Sequence, residues 1–361
     1  MIGSTKKLKV LVFHIGQIGD SVMILPALQA VKNHFGDAEY TLLTDRFLTS
    51  DRISSAHLFA GAGFFDRFLF FPKSTRLNAL LQAVSLIWLV PRLWLLQFHV
   101  LVYLTPSRRS RRQIDRDRRL FRLVGIRDIY GMDGYVRRSE DEAMPLHEAD
   151  LILARLKADG IPVPPEGAAE FHLNLGQDEK KFVDDWFQSL GHQHSGKIVV
   201  AFAPGAKMQA KRWDVACFST LGLRLIKKYD IFPIVFGGSQ DRELAQMLLQ
   251  SWRRGYNAAG VLSVRQTAEA LSRCAFYIGN DSGPMHLAAA VNTRCVAIFS
   301  ARDAQGKWHP YGAGHLVFRS RIKCEGCLLE YCEHRSCLRR IKPLVVFRAI
   351  ESELQDILAP D

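Results

Sequence analysis

The sequence lacks an uninterrupted apolar run long enough to cross a bilayer. Residues 83–104 come nearest, but Pro91, Arg92, Gln97 and His99 break the run, and an arginine at the centre of a spanning helix costs about 2.5–3.5 kcal/mol on insertion scales. The stretch reads as a helix leading into a buried strand, with Trp88 and Trp94 leaving open a face that meets lipid headgroups. No secretory leader is evident either. The polar opening runs into a short apolar stretch at residues 10–13 rather than an apolar core of roughly 7–15 residues. The chain is therefore expected in the cytoplasm, with peripheral contact at the inner membrane as an open alternative. The dinucleotide fingerprint is incomplete as well. Only Gly16 and Gly19 follow the first strand, and no acidic residue closes a second strand at the required place, which argues against a Rossmann oxidoreductase. Acidic residues are in deficit, 36 against 48 lysines and arginines, for a net charge of +12. Such an excess implies an anionic partner: nucleotide, phosphorylated glycan, membrane surface or nucleic acid. No recognised nucleic-acid-binding motif accompanies it, so nucleic acid is not expected.

What is present is an ordinary globular composition, 48% hydrophobic and 23% charged over 361 residues. That length suggests two domains at roughly 100–200 residues each. Residues 9–14 read as a strand that stops at Gly16, and residues 20–34 carry helical spacing in Val22, Leu25, Leu28 and Val31. Strands at 39–43, 68–71 and 100–104 follow, with a long helix at 78–96. Closely spaced prolines at Pro162, Pro164 and Pro165 disfavour helix and mark a linker. The rhythm then restarts, with strands at 198–203, 232–236, 276–279 and 295–299 and helices at 214–228, 242–252, 267–272 and from 283. Alternation of this kind predicts an α/β chain of two doubly wound parallel sheets. The expected domains are residues 1–165 and 166–345, followed by an amphipathic terminal helix within 346–361 whose packing partner is open.

Four segments carry chemistry. In the first, His14 to Asp20, a strand opens through Gly16 and Gly19 onto a helix. Asp20 is there either a general base for an acceptor hydroxyl or a helix cap. In the second, Pro204-Gly205-Ala206 precedes Lys211-Arg212-Trp213. Its turn amides and cations suit a diphosphate leaving group, although a solvated basic loop reads the same way. The third, Gly237-Gly238-Ser239-Gln240-Asp241, brings an acidic side chain past a strand end towards a nucleoside, or is an ordinary turn. The fourth is the sharpest. Asn280-Asp281-Ser282-Gly283-Pro284-Met285-His286 lies between a strand and an alanine-rich helix, where free amides, a hydroxyl and an imidazole meet the ligand crevice of an open sheet. Helix capping accounts for Asp281 and Ser282 but does not require His286.

In their order and spacing these four segments resemble glycosyltransferase family 9, which contains the ADP-heptose:lipopolysaccharide heptosyltransferases. The resemblance runs from about residue 9 to residue 341, although residues 36–160 match only in their pattern of elements. It implies two facing Rossmann-like domains of GT-B type, the first holding the acceptor and the second the nucleotide sugar, and it implies inverting transfer of heptose to a lipopolysaccharide core or similar lipid-linked glycan. Carried over by motif, Asp20 is the general base, Lys211 stabilises the departing diphosphate beside Arg212, and amides near Gly205, Ser282 and Gly283 assist. Asp241 lies near the nucleoside, and Asp281 and His286 line the sugar and phosphate pocket. Gly16 and Gly19 belong to the acceptor side. No obligatory metal is expected at the reaction centre, because lysine, amides and a helix N-terminus absorb the leaving-group charge. Ala206-Lys207 and Ser300-Ala301-Arg302-Asp303 depart from the family pattern and leave the donor sugar open.

Eleven arginines lie between Arg108 and Arg138 against four aspartates. Arg108, Arg109, Arg111 and Arg112 are the candidates for acceptor phosphates or an anionic membrane; the alternative is a solvated helix in which Asp115 and Asp117 pair internally. Cys324, Cys327, Cys332 and Cys337 form C-x2-C-x4-C-x4-C. In a reducing compartment this suggests structural zinc or iron, reduced structural thiols and a disulfide pair being the other readings. A protein-directed heptosyltransferase and an inactive nucleotide-sugar binding module remain the competing functions.

Overall fold

A computed structural model describes residues 7–47, 53–73, 79–133 and 147–358. The chain divides into two compact units, Met1–Ala143 with Glu148–Asn174, and Met144–His147 with Leu175–Asp361.

The first unit runs β1 (Leu8–Phe13), α1 (Ile18–Met23), α2 (Leu25–Phe35), β2 (Ala38–Phe47), α3 (Ala56–Phe59), β3 (Arg67–Lys73), α4 (Ala79–Leu96), β4 (Val100–Tyr103), α5 (Arg111–Leu123), β5 (Asp128–Tyr130) and α6 (Glu148–Ala158). Its five strands are all parallel in the order β3-β2-β1-β4-β5. Val10, Leu11 and Val12 are wholly buried, as a strand covered by helices on both faces requires. On one face Leu11, Phe13, Leu101 and Tyr103 pack under Leu89 and Leu93 of α4 and under Ile114 and Phe121 of α5. The expected helix at 20–34 is interrupted at Ile24, which caps both α1 and α2. Pro26 has no N–H to continue the first helix, and its ring crowds the carbonyl a turn earlier.

The second unit comprises α7 (Gln177–Ser189), β6 (Val199–Ala203), α8 (Val215–Tyr229), β7 (Phe232–Val235), α9 (Arg242–Trp252), β8 (Tyr256–Asn257), α10 (Val264–Ser272), β9 (Phe276–Asn280), α11 (Gly283–Ala290), β10 (Cys295–Phe299), β11 (Leu316–Arg319), α12 (Ser336–Arg339), α13 (Pro343–Glu353) and α14 (Gln355–Leu358). Six parallel strands take the order β11-β10-β9-β6-β7-β8. The helix α10 begins earlier than its apolar periodicity indicates, because Ser263 caps it and accepts from the Gln266 amide at 3.2 Å. The terminal helix has a definite partner. Val346, Phe347, Ile350, Leu354 and Leu358 join Phe218, Leu221 and Leu225 of α8 in the core of this unit. Residues 166–174 stay with the first unit, where the Asn174 side chain donates to the Ala62 carbonyl at 3.0 Å.

Candidate functional site

Each sheet reverses its winding at one place, between β1 and β4 in the first unit and between β6 and β9 in the second. Open parallel sheets bind ligands beyond the carboxyl ends of their strands at such points, and the chemistry-bearing segments fall there.

In the first unit the loop after β1 carries Asp20. Its Oδ2 accepts from the Gln17 amide at 2.8 Å, so the carboxylate caps the start of α1. Gly16 is compelled by contact, since a Cβ there would lie 2.5 Å from the Cβ of Asp20 and 3.0 Å from Nε2 of His14. Gly19 is half-buried within α1. His14, which sequence reading treated only as the end of the strand, is wholly buried and lies under this turn. Its Nδ1–H donates to the Leu104 carbonyl at 2.6 Å, leaving Nε2 as an acceptor 3.3 Å from the Ser21 hydroxyl. The Ser21 hydroxyl in turn lies 2.8 Å from that of Ser55. Burial lowers the His14 pKa to about 4, so the imidazole is neutral at physiological pH and acts as a polar strut.

The arginines separate. Arg108, Arg111 and Arg112 are exposed, whereas Arg109 turns inward and forms an ion pair with Asp117. Tyr103 donates to the same carboxylate at 2.7 Å, and the Arg109 guanidinium lies 5.9 Å from the ring centroids of Phe13 and Tyr103. Arg109 therefore supports the end of the sheet, and only its three neighbours present charge outward. Arg137 and Arg138 lie outside the described residues.

In the second unit four adjacent strands, β10, β9, β6 and β7, deliver the site. Asn280 organises it: its Oδ1 accepts from the Trp213 amide at 3.0 Å, and its Nδ2 donates to the Pro204 carbonyl at 2.7 Å. One buried amide side chain thus ties the ends of β6 and β9 to the lysine loop. Lys211 Nζ lies 2.5 Å from Asp281 Oδ2 and 3.5 Å from Asp303 Oδ2. Asp303 also accepts from Arg302 at 2.5 Å, and Arg302 donates to the Leu328 and Leu329 carbonyls, each at 2.7 Å. Two cations and two carboxylates, all largely buried, form one neutral cluster. Sequence reading noted Arg302 and Asp303 only as a departure from the family pattern. Their place just past the end of β10 was the available signal.

His286 Nε2 is 4.0 Å from Asp281 Oδ1, too far for a hydrogen bond. Burial, with the charges of His147 and Lys211 opposing protonation, lowers the His286 pKa to about 3. The contact is therefore between a carboxylate and a neutral imidazole and is not an ion pair. His286 Nδ1, Ser282 Oγ and Ser300 Oγ are buried without a hydrogen-bond partner among the described residues. Burying such groups unpaired costs about 1–3 kcal/mol each, and they stand at the ends of β9 and β10 and in the first turn of α11.

Asp241 accepts from the Gly238 amide at 3.0 Å, and burial raises its carboxyl pKa above the ordinary value. A Cβ on Gly205 would lie 2.4 Å from Oδ1 of Asp241. Gly205 thus makes room for Asp241, a close approach the sequence did not reveal. Arg212 donates to the Ala206 carbonyl at 2.7 Å. Gly283 opens α11 directly after Ser282.

The four cysteines are not brought together as a metal site. Among the described residues no group of three or more His, Cys, Asp or Glu side chains could hold an ion. Cys337 is buried in the apolar core with Leu338, Cys332 Sγ accepts from the Arg335 amide at 3.3 Å, and Cys324 and Cys327 are exposed. Sequence reading left structural zinc or iron and reduced thiols both open; in this arrangement the four thiols face different surroundings. Their loop has another visible role. Glu330 O accepts from the Ala210 amide at 3.1 Å, the Cys332 amide donates to the Gln209 side chain at 3.0 Å, and Arg335 donates to the Arg212 carbonyl at 2.9 Å. The loop straps down the segment that carries Lys211.

A family model described as glycosyltransferase family 9 (heptosyltransferase) matches residues 146–337, more than half of the chain. Lipooligosaccharide heptosyltransferase 2 of Campylobacter jejuni is 28% identical over 180 residues, 47% of this chain and 55% of its own length. Lipopolysaccharide heptosyltransferase 2 of Escherichia coli K12 is 32% identical over 188 residues, 47% of this chain and 50% of its own length. The matched region thus spans about half the length of these curated relatives. Among solved structures, Escherichia coli ADP-heptose lipopolysaccharide heptosyltransferase II superposes with a TM-score of 0.70 at 20% identity, covering 98% of this chain and 100% of that one. The likeness is one of fold, and the two parallel-sheet units are those of the GT-B glycosyltransferases.

Proposed function

The chain belongs to glycosyltransferase family 9, the heptosyltransferase family, and from that premise we propose that it transfers heptose from ADP-heptose to a hydroxyl of a lipopolysaccharide core, inverting the anomeric carbon. The observation that carries the reading is the Lys211 ammonium, held by Asp281 and Asp303 beside the N-terminus of α11. A fixed cation next to a helix N-terminus suits the charge that develops on a departing diphosphate.

In this reading Asp20 takes the proton of the acceptor hydroxyl as its oxygen attacks the anomeric carbon. The bond from that carbon to the diphosphate oxygen breaks, and ADP leaves with the bonding pair. Lys211, Arg212 and the amides at Gly205, Ser282 and Gly283 oppose the negative charge. Asp241 serves the nucleoside, and Asp281 serves the sugar. His286, being neutral, acts as a hydrogen-bonding group rather than a cation. Gly16 and Gly19 allow close approach of the acceptor, and Arg108, Arg111 and Arg112 meet its phosphates, with Arg109 acting through Asp117. A nucleotide-sugar donor places the reaction in the cytoplasm.

The test has two stages. Thermal-shift binding of ADP, UDP, GDP and dTDP reports on the nucleotide, and preference for ADP is expected. Transfer is then assayed with ADP-heptose and a truncated lipopolysaccharide acceptor. Preference for another nucleotide overturns the donor, and transfer to protein hydroxyls alone overturns the acceptor.

A further inference from the structure

At the switch point of the second unit a tyrosine stands where an apolar ring would pack as well. Tyr277 is the second residue of β9, between Phe276 and Ile278, which belong to the apolar core, and it is wholly buried. Successive strand residues alternate in face, so Tyr277 and Gly279 share the other one. The phenol lies over Gly279: a Cβ there would be 2.2 Å from the Tyr277 hydroxyl oxygen and 2.7 Å from the Ala203 carbonyl oxygen. Gly279 thus leaves a trough along the strand, and the side chain runs through it to the carboxyl end of β9, where Gly279 pairs with Ala203 of β6.

The residue that opens α11 follows directly. Ser282 stands at the N-cap, yet its hydroxyl makes no capping hydrogen bond. A capping oxygen accepts from the second or third helical amide, and Pro284, the second helical residue, has no N–H to give. The hydroxyls of Tyr277 and Ser282 are both buried without a well-formed hydrogen bond among the described residues. They are nonetheless neighbours, since Ser282 offsets part of the upward push that burial gives the Tyr277 pKa. The phenol stays protonated at physiological pH and remains a donor. Leaving two hydroxyls unpaired in the interior is unfavourable, and a phenylalanine in β9 would avoid its share of that cost.

We propose that Tyr277 is a positioning residue for the donor diphosphate: its hydroxyl donates to Ser282 Oγ once the diphosphate lies over the start of α11. With its oxygen held by the phenol, the Ser282 O–H is left to donate to a phosphate oxygen, and each bond polarises the next. Tyr277 itself touches no substrate. The role deepens the transferase reading and rests on it, since it requires a diphosphate at α11.

The experiment is calorimetric titration of the parent, Tyr277→Phe, Ser282→Ala and the double variant. The probes are ADP, or whichever of UDP, GDP and dTDP the parent binds most tightly, and the matching nucleoside. Tyr277→Phe removes one oxygen and keeps the ring, so circular dichroism and the Tm without ligand should equal or exceed those of the parent. Its diphosphate affinity should fall about tenfold, the size of one hydrogen bond, while nucleoside affinity holds. In the double variant the loss should hardly exceed that of Ser282→Ala alone, because the two hydroxyls act in series. Parental diphosphate affinity in Tyr277→Phe, additive losses in the double variant, or equal losses for diphosphate and nucleoside overturns the proposal. So does a lowered Tm without ligand, which would show the hydroxyl already bonded within the fold. A parent that binds none of the four diphosphates overturns the transferase reading and this role with it, whereas a parent that binds one no better than Tyr277→Phe does overturns this role alone.

Discussion

Lys211 Nζ lies 2.5 Å from Asp281 Oδ2, and both side chains are largely withdrawn from solvent. A buried pair of this kind is held in one geometry, and removing either member strands the other.

Lys211→Ala is therefore expected to act twice. Loss of the cation facing a diphosphate should lower kcat by about 10²–10³-fold. Leaving Asp281 and Asp303 facing each other should cost roughly 3–5 kcal/mol of stability in the second unit. Steady-state kinetics and urea unfolding measure the two losses on one preparation.

Asp303→Asn separates charge from position. It leaves the cluster of Lys211, Arg302 and Asp281 with a net positive charge, so affinity for ADP should hold or rise. The lysine, released from its second carboxylate, should be less well placed, and kcat should fall about tenfold. Parallel losses in ADP affinity and in kcat would show that Asp303 is not a positioning residue.

Asp20→Asn tests the base without removing the cap, because the amide oxygen can still accept from the Gln17 N–H. Transfer should drop about 10²–10⁴-fold, with thermal stability and ADP binding nearly unchanged. Full activity in this variant would remove Asp20 from the reaction.

Gly16→Ala should damage the same turn by crowding. The added methyl would lie 2.5 Å from the Asp20 Cβ, and relief requires the backbone to shift, at about 1–3 kcal/mol. A lowered Tm together with reduced kcat is expected, with ADP affinity intact.

Buried histidines set an acid limit, and among the described residues His14, His286 and His309 are shifted furthest. Burial holds His14 near a pKa of about 4 and His286 near about 3, against an ordinary imidazole value of 6.5. Between those values the unfolded chain binds protons that the folded chain does not. Stability is therefore complete above about pH 6.5 and declines towards the folded pKa, by up to about 1.4 kcal/mol per pH unit for each group. His14→Asn, whose amide can keep the donation to Leu104 O, should flatten the acid limb when unfolding of the first unit is followed by urea titration at several pH values.

Much of the site was legible because it is local. Glycines at strand ends, a lysine-arginine pair after β6 and the Asp281 to His286 run announce themselves by residue type and spacing. Asp303 and Arg302 did not, because their meaning comes from the pairing of β10 with β9, which brings the ends of those strands together. The same limit explains the arginines. Arg109 and Arg116 both pair with Asp117, but only Arg109 of the two is withdrawn from solvent, and nothing in the run of basic residues says which one turns inward. Cysteine spacing likewise does not say which way each thiol faces: Cys337 packs in the apolar core, whereas Cys324 and Cys327 are exposed.

Periodicity and turn chemistry along the chain were thus enough to establish two α/β units and to place the strand-end segments, since hydrophobic alternation and glycine turns are properties of neighbouring residues. The neutral cluster around Lys211, the burial that keeps His14 and His286 uncharged, and the place of the Tyr277 hydroxyl were decided by tertiary structure alone. Each depends on which groups packing brings into contact or leaves in water, and burial and charge pairing are set by neighbours in space rather than in sequence.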